Sequence, residues 1–288
     1  MSILRCEGLT YVYGDGTPFV RQAITDVNLE LEPDTLYALI GHTGSGKSTL
    51  VQHLNGLLRP TSGHVYLDGE DIWKEPKKIR RVRFRVGLVF QYPEYQLFDE
   101  TVAKDIAFGP RNLGLSESEI RERVEWAAHT VGLHEDLLGK SPFDLSGGEK
   151  RRAAIAGVLA MRPEVLILDE PTAGLDPKGR DRLLETLVHY RRESRTTVLL
   201  VSHSMEDVAR VADRVVVMNE GRLVMEGATA EVFAHADRLT DMGLNVPVVT
   251  RVMSRLRAKG AELPETVLTV GEARDAILRL QKGGDGSC

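Results

Sequence analysis

At 288 residues, 42% of them hydrophobic and 27% charged, the chain has material for one large α/β domain with an appendage or for two modest domains. Its net charge of −5 argues against bulk electrostatic attraction to nucleic acid, and its cysteines, Cys6 and Cys288 at opposite ends, exclude a disulfide framework or a C-x-x-C zinc site and fit a reducing cytosol. Arg5 and Glu7 interrupt any apolar start, so no signal peptide is expected, and no apolar run approaches the length of a membrane span; at a membrane, partners must supply the span.

In chain order, residues 3–13 (ILRCEGLTYVY) predict an edge strand with Tyr11 and Tyr13 on one face, followed by a turn at Asp15-Gly16-Thr17-Pro18. In residues 24–31, Val27, Leu29 and Leu31 alternate with polar neighbours, the pattern of a half-buried antiparallel strand, so a small antiparallel sheet is expected. Tyr37 to Ile40 then reads as a buried strand and residues 48–58 as a helix. Between them lies GHTGSGKST, which satisfies G-x-x-x-x-G-K-[ST] through Gly41, Gly46, Lys47 and Ser48. A phosphate chain needs close approach by backbone N–H groups, which glycine permits because it lacks Cβ, and the helix N-terminus turns its positive end to the anion. Gly41, His42, Thr43, Gly44, Ser45, Gly46 and Thr49 are therefore assigned to a nucleotide's phosphates, Lys47 to the β- and γ-phosphates, and Ser48 to Mg²⁺. Tyr13 lies far enough ahead of Lys47 for the chain to return to it, and spacing alone fits two roles: a ring stacked on an adenine, worth about 1–3 kcal/mol, and a ring packed on its own sheet.

After Val65-Tyr66-Leu67 and a turn at Asp68-Gly69, residues 74–85 hold seven Lys or Arg against Glu75 and predict a solvated helix face. Residues 86–90 predict an apolar strand ending at Gln91, and the texture turns helical from Thr101, with Ile120, Val124, Ala127 and Val131 forming one apolar stripe of a helical insertion. Leu145-Ser146-Gly147-Gly148-Glu149 opens another helix. Ser146 and Glu149 make a capping box, which leaves the two glycines unexplained; each costs about 0.5–1 kcal/mol against Ala in a helix, whereas bare N–H groups there suit a closely approaching anion. Residues 165–168 predict a central parallel strand that ends in Asp169, suited to Mg²⁺, and Glu170, suited to polarising the attacking water. Gly174 to Pro177 turns the chain, through Asp176, into a helix, and residues 196–201 predict a strand ending at Ser202-His203, where a histidine by itself reads as structural. A strand pair at 213–218 and 222–225 follows, then amphipathic helices at 246–258 and 270–280, and a disordered tail is expected at 283–288.

Apolar strands thus finish at Gly41, Gln91, Asp169 and His203, and in parallel α/β sheets the ligand crevice lies at the carboxyl ends of the strands, so one site is expected to collect all four. The fold class expected is α/β: a P-loop core with a mostly parallel sheet, a small antiparallel β subdomain, a helical subdomain inserted at about 92–162 and a C-terminal helical extension.

The P-loop, Gln91, LSGGE, the acidic pair after LILD, the Gly-Leu-Asp turn and His203, in that order, resemble the ATP-binding cassette ATPases over about residues 3–235. GTPF at 16–19, HLNGLLRPTSG at 53–63, FQYPEYQLF at 90–98 and residues 154–180 are similar to the second of the two ATPases of energy-coupling factor (ECF) transporters. The sequence departs from the family at Glu149, where glutamine is usual. The resemblance implies a head-to-tail pair of cassettes in which ATP and Mg²⁺ lie between one chain's P-loop and the other's signature, here Ser146, Gly147 and Gly148 with Asp176 nearby. It implies the adenine-stacking role for Tyr13, catalytic roles for Glu170, His203 and Gln91, metal contacts for Ser48, Gln91 and Asp169, and dimerisation for residues 236–282. The partners it implies are a paralogous ATPase, in a heterodimer or otherwise a homodimer, a transmembrane coupling protein and a substrate-binding membrane subunit for vitamins or transition-metal ions, with the chain peripheral on the cytoplasmic face and no nucleic acid. The competing reading is a cassette ATPase acting on nucleic acid or cell-envelope machinery, but the chain has no coiled coil, zinc ligands or second cassette. In FQYPEYQLF, Glu94 is expected to pair with a basic helix of the coupling protein, while Tyr95, Leu97 and Phe98 either face that partner or pack the insertion onto the core.

Overall fold

A computed structural model describes residues 2–264 and 266–284. Its centre is a six-stranded sheet in the order β10-β9-β3-β8-β7-β6. The parallel members are β3 (Leu36–Ile40), β6 (Val86–Val89), β7 (Val165–Asp169), β8 (Thr197–Val201) and β9 (Arg214–Asn219), with β10 (Arg222–Ala228) antiparallel at one edge. Every residue of β3, β6, β7 and β8 is buried, as unbroken apolar strands covered on both faces require. Their carboxyl ends all open on one rim.

A second, antiparallel sheet of order β2-β1-β4-β5 leans on that rim, built from β1 (Leu4–Tyr13), β2 (Arg21–Leu31), β4 (Ser62–Leu67) and β5 (Glu70–Asp71). The expectation of an edge strand for residues 3–13 is corrected here: β1 is interior, with Leu4 opposite Leu31 on one side and Leu67 on the other. The returning segment after the first helix supplies the second neighbour, which no local pattern in β1 announces. The Thr25 N–H donates to the Gly221 carbonyl at 2.8 Å, fixing β2 to the turn between β9 and β10.

The first helix, α1 (Lys47–Leu54), is shorter than expected. Asn55 closes it and donates its side-chain amide to the Val86 carbonyl, and Gly56 follows at φ +70°, a left-handed conformation in which glycine carries no Cβ penalty. The basic stretch becomes one 3₁₀ turn and α2 (Ile79–Arg85) with no buried residue, yet three of its arginines are engaged: Arg80 with Asn112, Arg83 with the Gly56 carbonyl and Arg85 with Glu164.

Between β6 and β7 lies the helical block of α3 (Val102–Asn112), α4 (Glu117–Thr130) and α5 (Gly147–Leu159). The expected α4 stripe of Ile120, Val124 and Ala127 is buried and shares one core with Ile106, Ile155 and the sheet residues Leu166 and Leu168. Then come α6 (Pro177–Ser194), α7 (Met205–Val211), α8 (Thr229–Ala234) and α9 (Ala236–Asp241). Leu239, Leu244 and Val246 pack with Ala38, Ile40 and Val217, so the cassette core continues to Val246, beyond the expected boundary at 235. The last helices, α10 (Val248–Ala258) and α11 (Val270–Gly284), form a small cluster of their own around Met253, Val267 and Ala273. Helix α11 takes in residues 283–284 of the expected tail, and residues 285–288 lie outside the described residues. Among the described residues no helix is long and apolar enough to cross a membrane.

Candidate functional site

The loop after β3 is shaped for a polyanion before any ligand is considered. Gly44 and Gly46 lie at φ +82° and +101°, and a Cβ on Gly41 would stand 2.5 Å from both the Met218 carbonyl and Ser45 Oγ. Ser45 Oγ is buried without a hydrogen-bond partner, a polar group that a ligand oxygen can satisfy. Lys47 is buried and donates to the Gly41 and His42 carbonyls at 2.8 and 3.0 Å. Burial pushes its ammonium below the ordinary lysine value, against the pull of Glu170 and Asp169. Thr43 and Ser48 are exposed at the mouth. The His42 ring spans the loop and the end of β9, with Nδ1 2.8 Å from the Thr43 carbonyl and Nε2 3.1 Å from Asn219 Oδ1.

Tyr13 reaches the same depression. Its hydroxyl lies 3.3 Å from Thr49 Oγ1 and its ring packs edge-on against Tyr11, with centroids 4.8 Å apart. Of the two roles open for Tyr13, the structure shows the ring packed on its own sheet; the ring also lines the pocket with Lys47, Ser48 and Thr49. Arg21, also in that lining, was missed by sequence reasoning. Its only signal there is a cation at the start of β2, and the fold alone brings it to the P-loop.

Across the rim, Ser48 Oγ donates to Asp169 Oδ2 at 3.0 Å. Burial raises the Asp169 carboxyl above the usual range and the Glu170 charge adds to this, while the Ser48 bond and Lys47 oppose it. A hydroxyl and a carboxylate side by side suit a hard cation that takes its remaining ligands from phosphate and water, so the residues fit Mg²⁺. Among the described residues no cluster of three His, Cys, Asp or Glu forms a cage that would hold a metal without a nucleotide. Glu170 adopts φ +50°, a conformation costing about 1–2 kcal/mol for a residue with a Cβ, and its N–H donates to the Val201 carbonyl at 3.0 Å. That backbone turns the carboxylate toward two groups: Gln91 Nε2 and His203 Nδ1 each lie 3.2 Å from Oε2. The four strand ends expected to converge thus meet, and His203 is brought to the acid rather than into the core.

Ser146, Gly147 and Gly148 lie elsewhere. Ser146 and Gly148 line, with Asp176, a separate depression that includes no P-loop residue. Ser146 caps α5, donating its hydroxyl to Glu149 Oε2 at 2.6 Å, and hydrogen bonds from the Ser146 side chain and backbone hold the Glu149 carboxyl below its usual range. A Cβ at Gly147 would meet nothing within 4 Å, so no group in this chain demands glycine there. The Asp176 carboxylate caps α6 by accepting from the Lys178 and Gly179 N–H groups at 3.0 and 3.1 Å.

In the segment after Gln91, the expectation for Glu94 is corrected. Its carboxylate is held by Arg151 through bonds of 3.1 and 2.8 Å and is unavailable to an outside helix. Tyr95 is 84% exposed and Phe98 60%, the latter edge-on to Phe108 at 5.2 Å; only Leu97 packs on the core.

The family pattern described as "ABC transporter" matches residues 24–173. The chain is 54% identical over 286 residues to the energy-coupling factor transporter ATP-binding protein EcfA2 of Clostridium tetani, covering 99% of each. It is 51% identical to the protein of the same name from Caldanaerobacter subterraneus, covering 97% of this chain and 98% of that one. Among solved structures, cbiO1 of Clostridium perfringens, part of the ABC transporter complex cbiONQ, superposes with TM-score 0.74 at 41% identity over 88% of this chain and 99% of that one. A dimeric post-hydrolysis structure of the cassette MJ0796 bound to ADP and Pi gives 0.71 at 26% identity, over 78% and 98%.

The loop geometry predicts the effect of Gly46→Ala. A Cβ at φ +101° would stand 2.8 Å from both the Ala23 carbonyl and Ile24 Cγ2, forcing the loop outward. Nucleotide affinity should fall about 10- to 100-fold, at tenfold per 1.4 kcal/mol of strain passed to the bound state. Titration with a fluorescent ATP analogue checks this, with an unchanged far-ultraviolet circular dichroism spectrum showing that the sheet survives.

Proposed function

The chain belongs to the ABC transporter family, and from that premise we propose that it is the ATP-hydrolysing subunit of an energy-coupling factor importer, on the cytoplasmic face of the membrane. The observation that carries the pairing is the separation of its two anion-directed features. The P-loop lines one depression, Ser146 and Gly148 line another, and Gly147 stands open to the outside. Each half serves a second cassette: this chain's P-loop meets the partner's signature, and its own signature meets the partner's phosphates. The dimeric form of MJ0796 supports the same arrangement, and the likeness to ECF transporter ATP-binding proteins favours a paralogous ATPase as partner.

In the reaction, ATP + H₂O → ADP + phosphate, Lys47 and the loop N–H groups hold the β- and γ-phosphates, and Tyr13 presents its ring to the base. Ser48 and Asp169 would hold Mg²⁺, which when bound neutralises phosphate charge. Glu170 takes the proton of the attacking water. Gln91 and His203, both on Oε2 of that acid, orient it. The exposed aromatics Tyr92, Tyr95, Phe98 and Phe108 form the contact for a transmembrane coupling protein, which with a substrate-binding membrane subunit takes up a vitamin or a transition-metal ion.

Glu170→Gln should retain ATP binding and lower turnover of the pair about 10²- to 10⁴-fold, the usual worth of a general base; near-normal turnover with the partner's matching mutant also in place would show that another group takes the proton. The pairing is tested by dilution. Activity per chain should collapse when the purified subunit is diluted to low nanomolar concentration and return on adding the paralogous ATPase, whereas constant activity per chain would contradict a shared site. Tyr95→Ala with Phe98→Ala should lower uptake by the full complex about tenfold or more, as hot-spot aromatics do, while ATPase activity of the soluble pair stays within about twofold. Loss of both together with a lowered melting temperature would mean that the aromatics only support the fold.

A further inference from the structure

Arg151 stands on α5, and among the described residues it is the single buried arginine. All three of its nitrogens are used. Nε and Nη2 donate to the two carboxylate oxygens of Glu94, and Nη1 donates to the carbonyls of Pro171, at 3.2 Å, and Ala173. Burial opposes the Glu94 charge, but hydrogen bonding to Arg151 outweighs it and holds that carboxyl below the usual range. One guanidinium therefore joins three separate segments: the turn that follows Gln91, the signature helix α5, and the turn that follows Glu170.

Those segments are already joined a second time. Gln91 bonds to Glu170 directly, so the path Gln91–Glu170–Pro171–Arg151–Glu94 closes on itself. Glu94 and Tyr95 are consecutive in a single 3₁₀ turn, Pro93–Gln96, with Glu94 directed inward and Tyr95 outward. The turn begins at Tyr92, whose φ of +55° holds it in a conformation that residues with a Cβ seldom adopt. A displacement of Tyr95 has little freedom to dissipate within so short a turn. It is passed to the Glu94 carboxylate, and a rigid, planar guanidinium passes it on to both carbonyls beside the catalytic acid.

We propose that Arg151 is a positioning residue that makes the placement of Glu170 depend on what occupies the Tyr92–Phe98 surface, so that a seated membrane partner sets the rate of hydrolysis. This rests on the reading above that the surface receives the coupling protein. Arg151 touches neither nucleotide nor water in this role. It acts through the Pro171 and Ala173 carbonyls on one side and through Glu94 on the other.

The test compares ATPase activity of the soluble pair with that of the full membrane complex, for the wild type and for Arg151→Met. The membrane subunits should stimulate the wild-type pair. In the variant, the ratio of complex to soluble turnover should fall about tenfold, within the range that one link of a coupling network carries, while KM for ATP moves less than about twofold. Glu94→Gln should lose the same stimulation, and combining the two should cost no more than Arg151→Met alone, as expected of residues acting through one contact. Hydrogen exchange supplies a readout that a merely structural role would not move. Adding the membrane subunits should change protection of the 172–175 amides in the wild type and leave it unchanged in the variant. If Arg151→Met does not fold, Arg151→Lys, which keeps the charge but cannot reach the carboxylate and both carbonyls at once, is read in the same way. A variant stimulated as strongly as the wild type overturns the proposal alone. A wild-type pair that no membrane subunit stimulates overturns the docking reading and the proposal with it.

Discussion

The burial of Lys47 is the constraint to which the rim of the sheet answers. An ammonium taken out of water costs several kcal/mol unless it is hydrogen-bonded and matched by negative charge. Here the Gly41 and His42 carbonyls supply the first, and the field of Asp169 and Glu170 contributes to the second. Those acids can stand there only because β7 lies one strand from β3, across β8, so that parallel ladders bring both carboxyl ends to one level. Parallel pairing in turn requires long crossovers, and the crossovers bring α1, α5 and α6, the last two with N-termini capped by Ser146 and Asp176. The unpartnered Ser45 hydroxyl is the one polar group of that arrangement left for a ligand oxygen to satisfy.

Glu170 is held differently from its neighbour. Asp169 is the last residue of a buried strand and is positioned by the ladder, whereas Glu170 keeps one hydrogen bond to Val201 but turns into a left-handed conformation, and its carboxylate is positioned by what it touches. Gln91, His203 and, through the next carbonyls, Arg151 decide where its carboxylate stands. A carboxylate located by such contacts is open to adjustment from other parts of the molecule. Asp169, fixed by its strand, has no such freedom, which suits the metal contact proposed for it.

What could be read from the sequence follows the same division. The P-loop, the ends of the four parallel strands, the Ser146 capping box and the α4 stripe are local patterns, and each appears where its spacing places it. The interior position of β1 depends on a partner strand about fifty residues away, and Arg151 meets Glu94 across 57 positions, so neither leaves a local trace. Glu94 shows the cost most clearly: an acid among aromatics reads as surface, and only the fold reveals the guanidinium beneath it. Arg21 at the P-loop was hidden for the same reason. Helix α1 ended early because the buried side chain of Asn55 is fixed to the start of β6, a tertiary bond overriding a run of apolar residues.

The helical block is a crossover between neighbouring strands, leaving at the carboxyl end of β6 and returning at the amino end of β7. Beyond its two chain connections the block is held to the sheet along a whole face, since Ile106 and Ile155 share a buried core with Leu166 and Leu168. The lower fastening is stapled, since the Glu164 N–H donates to the Arg85 carbonyl at 2.8 Å and its carboxylate takes the Arg85 guanidinium at 2.5 and 2.6 Å. The upper fastening is the chain at Gln91 and Tyr92, reinforced by Arg151, which binds α5 to the Pro171 and Ala173 carbonyls. The exposed aromatics and the signature helix thus belong to the crossover, Lys47 and Asp169 belong to the sheet, and Arg151 is the bolt between the two.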